Sequence, residues 1–326
     1  MNVSVNPAAS GAVHDSLNSS QNNGQNNGQN NNLNSSQNNS LNGQSIRIRT
    51  KAGFELAAKV FEPQGAAKGV CIIAPAMGVA HYLYDDFARW LAGQGYVALS
   101  FDYEGMGESV RGHIKHSKSD KLTWAHNDCP AVLGYVKERF PGLERIWIGH
   151  SVGGHLIGYM GHNPDIDRII TVASGVGTWW YNSAQTKRVA WFLWYFLVPA
   201  VVPVLGYFPG KKLGIMTDMP KGVMLQWRRW CLRKEYAVGA EGDWMRQRFA
   251  SVKAPITAVE FSDDEMMSVR SIAMLHGFFT GAPKQHIRVT PQDIGQKRIG
   301  HIGWHKQRYE ALWDQVFAPV LKGQKG

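Results

Sequence analysis

From Arg145 to His155 the chain reads Arg-Ile-Trp-Ile-Gly-His-Ser-Val-Gly-Gly-His. Its first four residues include a short apolar run, which is typical of a central strand covered on both faces. The glycine-x-serine-x-glycine pattern that follows, from Gly149 to Gly153, lets a strand reverse sharply into a helix with the serine in a strained conformation. A serine in that turn lies next to a helix N-terminus, which favours developing negative charge. The stretch therefore predicts that Ser151 is a catalytic nucleophile.

Apolar runs and helical periodicities alternate on both sides of this motif. The segment 45–50 alternates polar and apolar residues, which predicts a half-buried strand. A second strand is predicted at 55–61 after a turn at Gly53, and the two predict an antiparallel hairpin. Further strands are predicted at 69–74, 96–101, 145–148, 169–173, 256–261 and 286–290, and helices at 84–94, 122–139, 152–162, 269–279 and 306–320. This alternation predicts an α/β fold with a mostly parallel central sheet and helices on both faces.

Two parts of the chain do not follow the alternation. Residues 1–44 are dominated by Asn, Gln, Ser and Gly. They have too little apolar surface to offset the entropy of ordering, which predicts a disordered tail. Residues 176–250 are rich in aromatic residues and proline, and we expect them to form a cap inserted into the core. The core itself is then made of residues 45–175 and 251–326.

A serine nucleophile needs a base, and the base needs an acid that orients it. In a fold with this turn the chain order is serine, acid, histidine. Asp263 and Asp264 follow the strand predicted at 256–261, and either could be the acid or only cap the next helix. His301 follows the last predicted strand after a loop and is the predicted base. His305 is expected at the start of the final helix, in a structural role.

Two other histidines lie close to the serine in sequence. The side chain of His150 should point away from the serine hydroxyl across the turn, and His155 lies one turn into the following helix. We expect packing roles for both.

Several segments between residues 45 and 322 resemble those of bacterial α/β-hydrolases, in the broad serine-hydrolase group that includes monoacylglycerol lipases and serine aminopeptidases. The matching segments are Ala74-Pro75-Ala76-Met77-Gly78, Asp102-Tyr103-Glu104-Gly105-Met106-Gly107-Glu108-Ser109, the motif around Ser151 and the pair Gly300-His301. The resemblance implies the α/β-hydrolase fold. One departure is Glu104, where the family usually has arginine, and it affects a surface or pocket charge rather than the nucleophile.

The resemblance also implies roles for particular residues. It favours Asp264 as the triad acid, with Asp263 as the alternative. Two backbone N–H groups bind the oxyanion in this fold, one after the nucleophile and one in the loop after the third strand. These positions correspond to Val152 and Met77.

Charge and cysteine content limit the partners and the compartment. The formal net charge is +10, but no dense Lys/Arg run with interleaved aromatic residues occurs, so no nucleic-acid partner is expected. Cys71, Cys129 and Cys231 are far apart and odd in number, which predicts reduced thiols in a cytoplasmic protein and no zinc site. No Lys or Arg precedes Arg47, so a secretory signal is not expected. We expect neither a metal nor an organic cofactor.

The predicted cap contains a long uncharged stretch between Arg188 and Lys211. Its apolar part, from Val189 to Leu205, approaches the length of a membrane span, although Pro199 and Pro203 interrupt it. A single crossing would separate Ser151 from the later acid and histidine, so the segment has to return to the same side. We expect a cap that lines an apolar acyl pocket. The alternative is peripheral contact with the inner membrane face, assisted by the basic residues that follow.

These features predict a serine hydrolase that cleaves a small-molecule carboxylic ester or thioester with an apolar acyl group. A peptidase or amidase with the same triad is the enzymatic alternative. A catalytically silent, membrane-associated binding protein on the same fold is the alternative outside enzymes.

Overall fold

The computed structural model describes residues 43–323. The predicted disordered tail, residues 1–44, lies outside this range except for its last two residues, so its disorder stays a prediction. Within the described range the strands are β1 (Gln44–Arg49), β2 (Glu55–Phe61), β3 (Val70–Ala74), β4 (Val97–Phe101), β5 (Arg145–His150), β6 (Arg168–Val172), β7 (Tyr207–Phe208), β8 (Met219–Pro220), β9 (Ile256–Phe261) and β10 (Lys284–Val289).

One central sheet contains eight of these strands in the order β1-β2-β4-β3-β5-β6-β9-β10. β2 pairs antiparallel with β1 and with β4, and every other neighbouring pair is parallel. All residues of β3, β4 and β9 are buried, whereas the edge strands β1 and β10 are largely exposed or half-buried. This difference explains why the central strands are continuous apolar runs and β1 alternates. The predicted fold class is confirmed.

Helices cover both faces of the sheet and pack on two separate apolar clusters. Asp85–Gly93 and the C-terminal helix, which runs from 310 to 321, cover one face through Phe87, Trp313 and Phe317. The other face carries the helices at 121–139, Val152–Met160 and Val269–Phe278. The last helix begins at Glu310 rather than at the predicted residue 306, because a short 3-10 turn, Gln307–Tyr309, precedes it.

The segment between β6 and β9 contains the residues predicted to form the cap. After a short 3-10 turn, Trp179–Tyr181, it contains a helix, Ala184–Leu205, whose length and composition would allow it to cross a membrane. The small β7–β8 sheet follows, and then the helices Lys221–Cys231, Tyr236–Glu241 and Asp243–Ser251. Ala190, Leu193, Trp194, Val198 and Val202 are buried on the inner side of the first cap helix.

Candidate active site

The turn between β5 and the helix Val152–Met160 holds Ser151 in a rare backbone conformation. Its φ is 50° and its ψ is −112°, in a region that side-chain-bearing residues seldom adopt. The Ser151 amide donates to the carbonyl oxygen of Val172 in the neighbouring strand at 2.9 Å, which holds the turn against the sheet. The strained turn predicted from the motif is therefore present at the carboxyl end of the central strands.

The glycines of the motif are required by close backbone approaches. A Cβ on Gly149 would lie 2.5 Å from the backbone of Gly153, and one on Gly153 would lie 2.1 Å from the carbonyl oxygen of Ala74. The next residue, Gly154, leaves similar room for Ser174 Oγ, which a Cβ would meet at 2.4 Å. The helix can therefore start directly against β3 and β6 only because these positions lack side chains.

Three side chains that are far apart in sequence form one hydrogen-bonded series. His301 Nε2 lies 3.0 Å from Ser151 Oγ, and His301 Nδ1 lies 2.8 Å from Asp264 Oδ2. Both His301 and Asp264 are buried, with exposures of 0 % and 8 %. The other oxygen of Asp264 accepts the backbone N–H groups of Met266 and Met267 at 2.8 Å each. In this geometry Ser151 can donate its proton to Nε2, while the carboxylate holds the Nδ1–H tautomer.

The two acidic neighbours of Asp264 bind the backbone of the histidine loop instead. The Asp263 carboxylate accepts the N–H groups of Ile299 and Gly300 at 2.8 and 3.2 Å. Glu265 Oε2 accepts the backbone N–H of His301 at 2.9 Å. Asp263 is thus directed away from the imidazole. The sequence placed Glu265 in this acidic run but gave no signal for its contact with His301.

Met77 and Val152 line the same cavity as Ser151 and His301. Val152 is the first residue of its helix, so its N–H has no intrahelical acceptor. The Ala76 carbonyl accepts the N–H of Val79 at 3.1 Å, which closes a tight turn with Gly78 at φ 82°. This bond directs the Ala76 carbonyl into the turn and the Met77 N–H to the opposite side.

Ser151 opens onto a cavity of about 330 Å³ between core and cap. Most of its wall is apolar, and the residues that line it include Met77, Val152, His155, Val189, Ile215 and Glu265. Within residues 43–323, no three His, Cys, Asp or Glu side chains are grouped so as to hold a metal ion. Glu104, the departure from the family pattern, does not line the cavity.

The other histidines near the serine are buried and make local hydrogen bonds. His305 Nδ1 lies 2.7 Å from the Leu83 carbonyl oxygen, and His155 Nδ1 lies 3.1 Å from Tyr159 Oη. Burial lowers the pKa of His155 to about 3 and that of His305 to about 4. His150 also lies behind the serine, but it contacts the backbone of His301, a contact that the sequence did not predict.

Known proteins with similar sequences and structures agree with this architecture. The profile of the family described as serine aminopeptidase, S33, matches residues 65–223, a range that includes Ser151 and ends before Asp264. This match, over just under half of the chain, supports an α/β-hydrolase enzyme, as the resemblance implied.

Solved structures with the same fold have low sequence identity to this chain. A soluble variant of monoglyceride lipase from Saccharomyces cerevisiae, in complex with a substrate analogue, is 14 % identical, with a TM-score of 0.60 and coverage of 87 % of this chain and 97 % of the other. A carboxyl esterase from Bacillus coagulans is 13 % identical, with a TM-score of 0.58 and coverage of 86 % and 98 %. An esterase from Pyrococcus furiosus is 13 % identical, with a TM-score of 0.55 and coverage of 89 % and 94 %.

Proposed function

We propose that Ser151, His301 and Asp264 form a catalytic triad that hydrolyses a carboxylic ester or thioester with an apolar acyl group. The observation that carries the proposal is the hydrogen-bonded series from Asp264 through His301 to Ser151 Oγ, with distances of 2.8 and 3.0 Å. The largely apolar cavity at Ser151 supports an apolar acyl group. The solved neighbours named as esterases and a monoglyceride lipase agree with an ester substrate.

In this mechanism the serine is acylated and then released by water. Ser151 Oγ attacks the carbonyl carbon as its proton moves to His301 Nε2, and Asp264 stabilises the imidazolium that forms. The N–H groups of Met77 and Val152 bind the negative oxygen of the tetrahedral intermediate. Collapse of the intermediate breaks the bond to the alcohol or thiol, which takes the proton from His301. A water molecule then loses a proton to His301 and attacks the acyl carbon. His301 returns this proton to Ser151 Oγ as the carboxylic acid leaves.

An aminopeptidase would use the same triad, and the family description makes it the alternative. Such an enzyme has to bind the positive α-amino group of its substrate, which favours an unengaged carboxylate in the cavity. Glu265 is the acidic residue among the described lining residues, and its carboxylate already accepts the His301 N–H and contacts Arg298 at 3.3 Å. The cavity wall therefore favours an ester over an aminoacyl substrate.

Labelling and turnover together test the proposal. A fluorophosphonate probe should label the wild-type protein and not Ser151→Ala. Ser262→Ala, which removes an exposed serine next to the acidic run, is the control and should be labelled as strongly as the wild type. p-Nitrophenyl esters of short to medium chain length should be hydrolysed faster than aminoacyl anilides. Faster anilide cleavage would favour the peptidase. Absence of labelling in the wild type would favour the catalytically silent binding protein.

We also propose that the cap contacts a membrane surface peripherally. The outer side of the helix Ala184–Leu205 carries large apolar side chains, and only 28 % of its most apolar stretch of 18 residues is buried. The large apolar side chains exposed on this helix and the following loop are Val189, Trp191, Phe192, Tyr195, Phe196, Val204, Leu205, Leu213 and Ile215. Basic side chains flank this apolar face at Lys187, Arg188, Lys211 and Lys212, where anionic headgroups would meet them.

Two further observations bear on this surface. Val189 and Ile215 are exposed and also line the cavity, so an acyl chain could pass from a bilayer towards Ser151. A transmembrane crossing does not fit, because the buried side of the helix packs on the core and the triad residues flank it in sequence. A cytoplasmic location stays a prediction, and it is consistent with three unpaired, buried cysteines.

Co-sedimentation with lipid vesicles tests the membrane contact. Vesicles containing phosphatidylglycerol should bind the wild-type protein at low salt, and pure phosphatidylcholine should bind it less. The double variant Trp191→Ser/Phe196→Ser should reduce binding, whereas Trp244→Ser, which removes an exposed tryptophan elsewhere, should not. No binding of the wild type, or equal loss in both variants, would contradict the proposal.

A further inference from the structure

The residue before the nucleophile, His150, is fully buried and makes two hydrogen bonds that point in different directions. Its Nδ1 lies 2.7 Å from Tyr84 Oη, and its Nε2 lies 2.9 Å from the backbone carbonyl oxygen of His301. Because β5 ends at His150, the strand that delivers Ser151 to the site also fixes this imidazole. The side chain therefore contacts the backbone of the proposed catalytic base.

The tyrosine at the other end of this contact holds the loop that contains Met77. Tyr84 Oη accepts the backbone N–H of Ala76 at 2.9 Å, and Ala76 is the residue immediately before Met77. Since the Ala76 carbonyl is bound by the Val79 N–H, both backbone polar groups of Ala76 are engaged. The peptide group that carries the Met77 N–H is therefore held through its carbonyl, and the preceding peptide group is held through its N–H.

The protons in this series can be assigned from the chemistry of the groups. Burial raises the pKa of Tyr84, so its hydroxyl stays protonated. Its oxygen accepts from Ala76, and the O–H then donates to His150 Nδ1. Burial, with His301 and His305 nearby, lowers the pKa of His150 well below its usual value, so the ring is neutral. A neutral ring that accepts at Nδ1 carries its proton on Nε2, which donates to the His301 carbonyl.

We infer that His150, together with Tyr84, is a positioning residue that couples the loop of the oxyanion donor Met77 to the catalytic histidine. The continuous series runs from Ala76 N–H through Tyr84 O–H and His150 Nε2–H to the His301 carbonyl. The inference rests on the proposed function, because it assigns the base and the oxyanion donor as proposed above.

The coupling has a defined chemical consequence. Glu265 binds the His301 N–H and His150 binds its C=O, so both backbone polar groups of the base are held by side chains. Loss of the His150 bond leaves a buried carbonyl unpaired and lets the imidazole and the Met77 loop move independently. Small errors in placing reacting groups reduce the rate of the chemical step on the order of 100-fold, with little effect on substrate binding.

Turnover of p-nitrophenyl butyrate by single and double variants tests the inference. Tyr84→Phe and His150→Leu should each lower kcat about 10- to 100-fold with KM within about threefold. The double variant should be no slower than the slower single variant, because either change breaks the same series. His305→Leu is the matched control: it removes a buried histidine whose ring lies 4.4 Å from that of Tyr84 but which bonds only to the Leu83 carbonyl. It should lower the melting temperature without a comparable fall in kcat.

A second measurement does not depend on turnover. In ¹⁵N spectra of histidine side chains, the His150 signals, assigned by their loss in His150→Leu, should show the neutral Nε2–H tautomer at pH 6. This preference should weaken in Tyr84→Phe. An Nδ1–H tautomer, a charged ring, or folded single variants with wild-type kcat would overturn the coupling. If instead the wild type turns over no ester while the tautomer is as expected, the proposed function fails and the hydrogen-bonded series remains.

Discussion

At the residue scale, three consecutive acids after β9 have three different partners. Asp263 binds two backbone amides of the histidine loop, Asp264 binds the imidazole, and Glu265 binds the His301 N–H. The sequence could name the acidic run as the source of the triad acid, because chain order and strand position determine that. It could choose Asp264 only by family resemblance, because the direction of each side chain depends on the loop around residues 299–301, which lies far away in sequence.

Substitutions of Asp264 and Asp263 should have different effects, the first mainly on activity and the second mainly on stability. Asp264→Asn should lower kcat on the order of 10⁴-fold at neutral pH, since loss of the orienting acid in serine hydrolases favours the wrong histidine tautomer. Asp263→Asn should cost about 1–3 kcal/mol of stability through its weakened amide contacts, with a much smaller loss of kcat. Steady-state kinetics and urea unfolding of the two variants measure this contrast. A larger kcat loss in Asp263→Asn would reverse the assignment.

At the element scale, the sequence predicted the central strands to within about two residues, because both of their faces are buried and their apolar runs are continuous. The cap helix was harder to predict, since Pro199 and Pro203 suggested interruptions. The structure keeps one helix, Ala184–Leu205, and widens it to a π-helical turn over Leu193–Leu197 directly before Pro199. The wider turn gives room where a proline ring would otherwise meet the preceding carbonyls. Such an adjustment leaves no periodic signal in the sequence.

Cap and core are joined at a buried lysine. Lys121 Nζ donates to Tyr236 Oη at 2.7 Å and lies 4.9 Å from the Trp230 ring centroid, while its backbone N–H donates to Gln226 Oε1 at 2.8 Å. Burial lowers the pKa of Lys121 from 10.5 to about 7, although Cys231 and Asp120 act to raise it. The folded protein therefore binds fewer protons than the unfolded chain between pH 7 and 10.5, so this group makes stability rise with pH across that window.

Comparison with Lys121→Met isolates this contribution. Between pH 7 and 8.5, the unfolding free energy of the wild type should rise with pH relative to that of the variant. This range lies below that in which the buried thiols and phenols titrate. The slope should approach one proton, about 1.4 kcal/mol per pH unit. Urea titrations at several pH values measure it. A difference that stays constant with pH would mean that Lys121 keeps an ordinary pKa in the folded protein.

At the scale of the whole molecule, the order of the proposed triad residues along the chain limits how the cap can lie. Ser151 precedes the apolar segment and His301 follows it, so the sequence alone excluded a single membrane crossing for an assembled triad. The sequence could not predict which side of the cap helix faces the core or how large the enclosed cavity is. Both depend on contacts such as that of Gln226 with Asp120, 3.0 Å apart, between segments more than 100 residues apart.

Buried histidines throughout the described core should make the molecule sensitive to acid. Burial lowers the pKa of His276 and of His305 to about 4, and that of His155 to about 3, from 6.5. Below pH 6.5 the unfolded chain takes up protons that the folded protein does not. Each histidine therefore lowers the free energy of unfolding as the pH falls towards its pKa in the folded protein. Asp128 offsets the effect of one histidine on stability. Burial raises its pKa to about 8, so between pH 8 and about 4 the folded protein binds a proton that the unfolded chain does not.

The contribution of one histidine can be measured at a position away from the cavity. His276 lies in the helix Val269–Phe278 and does not line the cavity. Its Nδ1 donates to the Ile272 carbonyl oxygen at 2.8 Å, so its Nε2 accepts from Thr171 Oγ1 at 2.8 Å. His276→Gln keeps a hydrogen-bonding side chain that does not titrate. Between pH 6 and 4.5 the stability of the wild type relative to this variant should therefore fall by about 1.4 kcal/mol per pH unit, in urea unfolding at each pH. Parallel curves for the two proteins would contradict the lowered pKa, whereas hydrolysis of p-nitrophenyl butyrate at pH 7.5 should stay close to that of the wild type.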